Sequence, residues 1–130
     1  QPDGTHCAAE QVLYNVSSRG IEYDLLPLMQ QHQIPVMAYC PLAQAGQLRR
    51  GLMRHPTLQA LAGQHHATVP QIMLAFLLAR PGVIPIPRTG RAEHTLRNAR
   101  AAEIRLSAEE LALLDKAFAP PQRKVRLEIV

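Results

Sequence analysis

Cationic side chains gather after a short apolar run in the last third of the chain. The run is Val83-Ile-Pro-Ile86, and the cations after it are Arg88, Arg91, His94 and Arg97. A phosphate group is bound by backbone N–H donors together with positive charge. Residues 40–46 follow a second apolar run and offer small side chains and flexible backbone for such donors. The two segments carry the groups that a phosphate-bearing ligand requires, although charge by itself does not identify the ligand.

Metal, thiol and nucleic-acid chemistry find little support in the sequence. The two cysteines, Cys7 and Cys40, form no CxxC pair, and we interpret them as reduced thiols. The six histidines form no HExxH pattern, so we expect no metal, and we expect the adjacent His65 and His66 to lie on the surface. A net charge of +4 fits an anionic cofactor as well as nucleic acid. With three Tyr, two Phe and no Trp for base stacking, we expect no nucleic-acid binding.

Length and composition indicate one modest domain with a buried core, since nearly half of the 130 residues are apolar. No apolar run approaches the roughly 18 residues of a membrane span. The first ten residues are too polar and small for a signal peptide. We therefore expect a cytoplasmic protein without membrane association. Because the first residue is Gln1 and not Met, we expect a processed start or a piece of a longer protein.

Three short apolar runs alternate with helical patterns along the chain. The runs are Gln11–Asn15, Val36–Tyr39 and Val83–Ile86. Such alternation is typical of parallel strands covered by helices. Three strands leave both sheet edges open, whereas a closed barrel of this type has eight. The sequence therefore predicts an α/β fold, namely the last three strand-helix units of a (β/α)8 TIM barrel, incomplete as given.

The helices between these runs have recognisable signals. Thr68–Gln71 and Ser107–Glu110 have the pattern of capping boxes and predict two helix starts. We predict a loop from Cys40 to about Arg50, and the tail from Gln122 to Val130 has no clear period. Two further helices are predicted, one before Pro35 and one near Pro56 to His65. Their inward-facing residues are Ile21, Leu25, Leu28 and Met29 in the first and Leu58 and Leu61 in the second.

Several motifs together resemble the aldo-keto reductase family, of the bacterial reductase type. Residues 34–42 resemble its "v-a-Y-S-P-L" strand and loop, and Gln11–Asn15 fits its sixth barrel strand. Residues 83–98 resemble its "I-P-K-S … E-x-x-x-x-N" cofactor motif, and residues 106–111 resemble the start of its last helix. The resemblance covers residues 10–118 in the right order, and residues 119–130 form a C-terminal tail. It implies that residues 1–130 are the C-terminal part of such a barrel.

The resemblance implies an NADP(H) site with two groups of contacts. Near the nicotinamide, Gln11 matches the glutamine that binds the carboxamide and Tyr39 the aromatic on which the ring stacks. Cys40, where Ser is usual, keeps its backbone N–H, and Pro41 and Leu42 fall in the loop beside the pyrophosphate. At the adenosine end the matching residues are Arg88, Thr89, His94, Arg97 and Asn98.

At the adenosine end, the substitutions relative to the family pattern mostly keep the chemistry. Arg88 stands where Lys is usual and Thr89 where Ser is usual, and both suit the 2′-phosphate. His94 stands at a common Arg, which weakens the charge there. Arg97 aligns with a position that is often acidic, and Asn98 matches the asparagine that contacts adenine.

The resemblance also implies what the chain lacks. The Tyr, Lys, Asp and His that reduce carbonyls in this family lie on earlier strands, so we expect no catalytic residue here. We expect the intact protein to be an NADPH-dependent reductase of aldehydes or ketones and the 130-residue chain alone to be inactive. The alternative is a truncated, non-catalytic module that binds nucleotide or associates with another chain. Open sheet edges make self-association a further expectation.

Overall fold

The structure is a computed structural model, and it describes residues 6–129. Three parallel strands form one sheet in chain order: β1 (Glu10–Leu13), β2 (Val36–Tyr39) and β3 (Val83–Pro85). The register runs from Glu10↔Val36 to Leu13↔Tyr39 and from Val36↔Val83 to Ala38↔Pro85. Each crossover between strands contains helix, so the predicted α/β fold of strand-helix units is confirmed.

Within residues 6–129, six α-helices accompany the sheet. They are α1 (Leu25–Gln31), α2 (Gln47–Met53), α3 (Pro56–Gln64), α4 (Val69–Leu78), α5 (Ala92–Arg100) and α6 (Ala108–Ala117). Short 3-10 turns precede α1 at Gly20–Glu22 and follow α5 at Ala101–Glu103. The residues between 40 and 50 were predicted as a loop, and this was wrong in part because α2 begins at Gln47. None of the described helices is long and apolar enough to cross a membrane.

Both predicted capping boxes are confirmed. At the start of α4, the Thr68 N–H donates to Gln71 Oε1 at 2.9 Å, and the Gln71 N–H donates back to Thr68 Oγ1 at 3.4 Å. At the start of α6, the Ser107 N–H donates to Glu110 Oε2 at 2.8 Å and the Glu110 N–H to Ser107 Oγ at 3.1 Å. Such a cap stabilises a helix by about 1 kcal/mol, so these two starts are fixed locally.

The core lies between one face of the sheet and the helices. From the sheet it takes Val12, Val36, Ala38 and Val83, and from the helices it takes Leu58, Leu61, Ile72, Met73, Phe76, Leu77 and Leu114. Residues 71–77 of α4 are all buried, so this helix is enclosed on every side. The predicted inward positions Leu58 and Leu61 are confirmed. Leu28 was predicted to face inward and is 46% exposed, because the 3-10 turn before α1 rotates the helix and buries Leu26 instead.

The other face of the sheet is open. Gln11, Met37 and Ile84 are aligned across the three strands on this face. Gln11 is exposed and Ile84 is 49% exposed, while the alternate residues are buried under the helices. Side chains alternate between faces along a strand, so this row is the surface that would face the centre of a barrel.

The C-terminal tail folds back onto the start of α1. Lys124 Nζ lies 2.9 Å from Asp24 Oδ2. The tail also packs closely against Gly20, because a Cβ added to this glycine would lie 2.7 Å from Val125 Cγ2. The tail has no helix or strand up to residue 129, but it has a defined place beside the turn that follows β1.

Candidate functional site

A pocket of about 520 Å³ opens where the carboxyl ends of β2 and β3 meet the helices that follow them. The loop after β2, helix α2, the start of α4, the loop after β3 and helix α5 all contribute. The lining residues are Leu42, Arg49, Thr68, Pro70, Arg88, Thr89, His94, Arg97 and Asn98. Leu42 and all five residues predicted for the adenosine end are among them, although they come from segments more than forty positions apart. The carboxyl edge of parallel strands is where such folds bind ligands.

The loop after β3 supplies polar groups at the entrance to α5. Thr89 Oγ1 accepts a hydrogen bond from the Arg91 N–H at 3.2 Å and lies 3.5 Å from His94 Nδ1. Arg88 is exposed beside them. Arg91 gives α5 no side-chain cap, so the positive end of this helix faces the same region. The arrangement concentrates positive potential and hydroxyl and imidazole groups, which suits a phosphate.

Helix α5 is held against α4 by a buried amide. Gln71 Nε2 donates to the Arg97 carbonyl oxygen at 2.9 Å, while Gln71 Oε1 completes the capping box. One side chain thus fixes both the start of α4 and the position of α5. The Arg97 guanidinium forms an ion pair with Glu93 one helical turn earlier. This pair offsets part of the positive charge of Arg97, which is therefore a weaker cation at the pocket than Arg88.

The loop after β2 has an unusual backbone. Cys40 and Ala43 have φ of 48° and 58°, in the left-handed region that residues other than glycine seldom adopt. Each such residue costs on the order of 1–3 kcal/mol, so other contacts must hold the loop. The Ala43 N–H donates to the Cys40 carbonyl oxygen at 3.0 Å, and Asn15 Nδ2 donates to the same oxygen at 3.1 Å. The loop is therefore tied both to itself and to the segment after β1.

Four predicted site residues lie outside the pocket lining. Gln11 and Tyr39 are on the open face of the sheet, where Gln11 is paired with Met37 and Tyr39 with Leu13. Gln11 is exposed and Tyr39 is half-buried. Cys40 is also half-buried and Pro41 is buried, and both lie in the loop between this face and the pocket. The described residues thus divide the predicted site into a cationic pocket and a separate patch at the ends of β1 and β2.

Sequence inspection missed three residues that line the pocket, Arg49, Thr68 and Pro70. Arg49 is on α2, in the segment that was predicted as loop. Thr68 was identified only as a helix cap, and Pro70 only as a first-turn proline. The double arginine at positions 49 and 50 was the one signal of added charge, but the sequence does not tell which of the two approaches the pocket.

A buried ionic cluster anchors the segment that follows β1. Arg19 is 5% exposed, and its guanidinium contacts Glu22 Oε2 at 2.7 Å and the Phe118 carbonyl oxygen at 2.6 Å. The Tyr14 hydroxyl donates to Glu22 Oε1 at 2.5 Å. Burial, with the hydrogen bond to Glu22, raises the pKa of Tyr14 far above its ordinary value. Because Tyr14 is fully buried and its hydroxyl is bound by Glu22, it is a core residue.

His65 joins two helices instead of lying on the surface. His65 was expected to lie on the surface with His66, but it is half-buried, and its Nε2 lies 2.8 Å from Glu110 Oε1. The contact joins α3 to α6, since the turn after α3 aims this imidazole at the capping box. Within residues 6–129, no group of three or more His, Cys, Asp or Glu is arranged to hold a metal ion.

The parallel sheet with its helices, and a cationic pocket at the carboxyl edge of its strands, has the architecture of part of an α/β barrel. A sequence model of the aldo/keto reductase family matches residues 3–119. Methylglyoxal reductase YeaE of Escherichia coli is 48% identical over 99% of this chain, which corresponds to 45% of that protein. The chain therefore belongs to the aldo/keto reductase family, and it spans about half the length of this relative.

Solved structures of aldo-keto reductases superpose on this chain. An aldo-keto reductase from Klebsiella pneumoniae in complex with NADPH is 56% identical and superposes with a TM-score of 0.93 over 98% of this chain and 45% of that one. The thermostable aldo-keto reductase Tm1743, crystallised with the inhibitor epalrestat, is 45% identical, with a TM-score of 0.73 over 83% of this chain and 39% of its own. The three strand-helix units thus have the arrangement found in aldo-keto reductases.

Proposed function

We propose that this chain is the cofactor-binding part of an NADPH-dependent reductase that converts aldehydes or ketones to alcohols. The observation that carries the proposal is the pocket in which Arg88, Thr89 and Asn98 meet the loop after β2. The Klebsiella relative binds NADPH, which makes the same cofactor the natural occupant here. The whole protein would be a closed barrel, of which these three units are the C-terminal part.

The pocket suits the adenosine 2′-phosphate end of NADP. Arg88 provides a guanidinium that can bind a phosphate with two parallel hydrogen bonds. Thr89 provides a hydroxyl and His94 a second donor beside it. The Asn98 amide can hydrogen-bond to the adenine, and Leu42 lies in the loop beside the pyrophosphate. Arg49 adds a cation from α2, and Arg97 contributes less because Glu93 already pairs with it.

The open patch on the sheet suits the nicotinamide end. The Gln11 amide has both the donor and the acceptor that a carboxamide requires. Tyr39 offers a ring on which the nicotinamide stacks, so that its other face points to the substrate. When bound, the cofactor supplies the hydride. These two residues then orient the ring, while the proton for the alcohol comes from side chains outside residues 1–130.

We infer that the catalytic Tyr, Lys, Asp and His of the family belong to the preceding strands of the whole protein. The test is NADPH oxidation by the full-length protein with small aldehydes, methylglyoxal among them because YeaE is a methylglyoxal reductase. Turnover with NADPH is expected. Stable, folded full-length protein that binds no NADPH would refute the proposal.

A second candidate is a non-catalytic module that binds nucleotide or associates with another chain. The open face of the sheet, with Gln11 and Ile84 exposed, is the observation that favours it, since such a face invites a covering partner. The reading frame upstream of Gln1 separates the two. Five further strand-helix units in frame support the reductase, and a stop codon directly upstream supports the module.

A further inference from the structure

Asn15 lies just after β1, and its buried side chain is held by several hydrogen bonds. It is 2% exposed. Its Oδ1 accepts hydrogen bonds from Ser17 N–H at 3.0 Å, Ser17 Oγ at 2.9 Å and Ser18 N–H at 3.0 Å. Its backbone also exchanges two hydrogen bonds with Ser18, at 3.3 and 3.2 Å. These donors fix which end of the amide is oxygen, so the nitrogen must point the other way.

The amide nitrogen of Asn15 reaches across to the next strand-loop unit. Nδ2 donates to the Cys40 carbonyl oxygen at 3.1 Å, a contact between residues 25 positions apart. Cys40 is one of the two non-glycine residues with positive φ in the loop after β2, and its carbonyl oxygen also accepts the Ala43 N–H. Pro41 and Leu42 lie between Cys40 and Ala43, and Tyr39 directly precedes the turn. The bond therefore acts on the backbone that carries Tyr39, on the open face of the sheet, and Leu42, at the pocket.

The segment that presents Asn15 is itself anchored. Arg19, four residues later, binds Glu22 beside it and the Phe118 carbonyl oxygen at the end of α6. Its guanidinium also lies 5.1 Å from the centre of the Phe76 ring in α4. The loop after β1 is thus anchored by several side-chain contacts. The loop after β2, by contrast, has an unfavourable backbone conformation that contacts from other segments must stabilise.

We propose that Asn15 is a positioning residue for the cofactor, which it serves by clamping the Cys40 carbonyl and holding the turn from Tyr39 to Leu42 in its binding shape. The inference rests on the proposed NADPH site. Asn15 touches no cofactor in this scheme. Its effect reaches the cofactor through the backbone, so loss of the clamp should weaken cofactor binding without altering the chemical step.

The test compares two variants of the full-length protein. Asn15→Asp keeps an oxygen for the Ser17 and Ser18 N–H groups but replaces the donor to Cys40 with an acceptor. Ser17→Ala is the matched control, because it removes one hydrogen bond from the same cluster and leaves the clamp intact. We expect Asn15→Asp to raise the Kd for NADPH about tenfold, as for a buried hydrogen bond left unmade. Ser17→Ala should leave it within about twofold.

The division between KM and kcat separates positioning from general damage. Asn15→Asp should raise the KM for NADPH and keep kcat at saturating cofactor, whereas loss of folded protein would lower kcat and leave the Kd unchanged. If Asn15→Asp does not fold, Asn15→Ser replaces it, since its hydroxyl is too short to reach Cys40. A Kd equal to that of Ser17→Ala would overturn the inference. Failure of the unaltered protein to bind NADPH would overturn the proposed function, and this inference with it.

Discussion

Removal of the Arg88 guanidinium should reduce affinity for NADPH much more than for NADH. The two cofactors differ by the 2′-phosphate, and Arg88 lines the pocket together with Thr89 and His94. A hydrogen bond to a charged group contributes roughly 1.5–3 kcal/mol. Because Arg88 is exposed, solvent screening favours the lower figure, which corresponds to about a tenfold change in Kd. The Kd for NADH, which lacks the phosphate, should change by less than about twofold.

The assay is calorimetric titration of the full-length protein and its Arg88→Ala variant with each cofactor. Arg91→Ala is the matched control, because it removes the same charge from the same loop at a side chain outside the pocket lining. Its backbone N–H still donates to Thr89. If Arg88→Ala weakens NADPH and NADH equally, Arg88 does not bind the 2′-phosphate. If Arg91→Ala matches Arg88→Ala, only the net charge of the region matters, and the local argument is wrong.

Two further predictions concern stability and association. Hydrogen bonding by the Ser107 backbone, and after it by His65, lowers the pKa of Glu110. A carboxylate with a lowered pKa stabilises the fold above its ordinary pKa and loses this effect as pH falls through the folded-state value. The free energy of unfolding, measured with urea at a series of acid pH values, should therefore depend less steeply on pH for Glu110→Gln than for the unaltered protein. An unchanged pH dependence would count against the contacts of Glu110 with Ser107 and His65. The isolated 130-residue chain should associate in sedimentation experiments through its open sheet, and a monomer that melts cooperatively would contradict this.

The sequence predictions that the structure confirms depend on residues that are close together in the chain. The strand Val36–Tyr39 has the predicted bounds, because an apolar run between Pro35 and a small-residue loop leaves little choice. The capping boxes at Thr68 and Ser107 are fixed by residues three positions apart, which is as local as structure becomes. Arg88, Thr89, His94, Arg97 and Asn98 are close in sequence and line one pocket, whereas Arg91, which belongs to the same predicted cluster of cations, is outside the lining.

The features that sequence did not reveal depend on distant contacts. Helix α2 begins after Gly46, whose φ is 124°, and it buries only Leu52, so it has no apolar period to detect. Arg49 consequently went unnoticed at the pocket. The bonds from Asn15 to Cys40 and from Gln71 to Arg97 join residues 25 and 26 positions apart, and no local pattern announces them. The exposure of Leu28 likewise depends on the short 3-10 turn before α1, which changes the orientation of the helix. A helical spacing of apolar residues does not reveal such a turn.

The crystal structure of the full-length protein with NADP tests the proposed site most directly. The expected result is a 2′-phosphate bound by the Arg88 guanidinium and the Thr89 hydroxyl, with the nicotinamide stacked on Tyr39 and its carboxamide on Gln11. NADP bound elsewhere on the barrel, or with its 2′-phosphate beyond hydrogen-bond distance of both Arg88 and Thr89, would contradict the assignment.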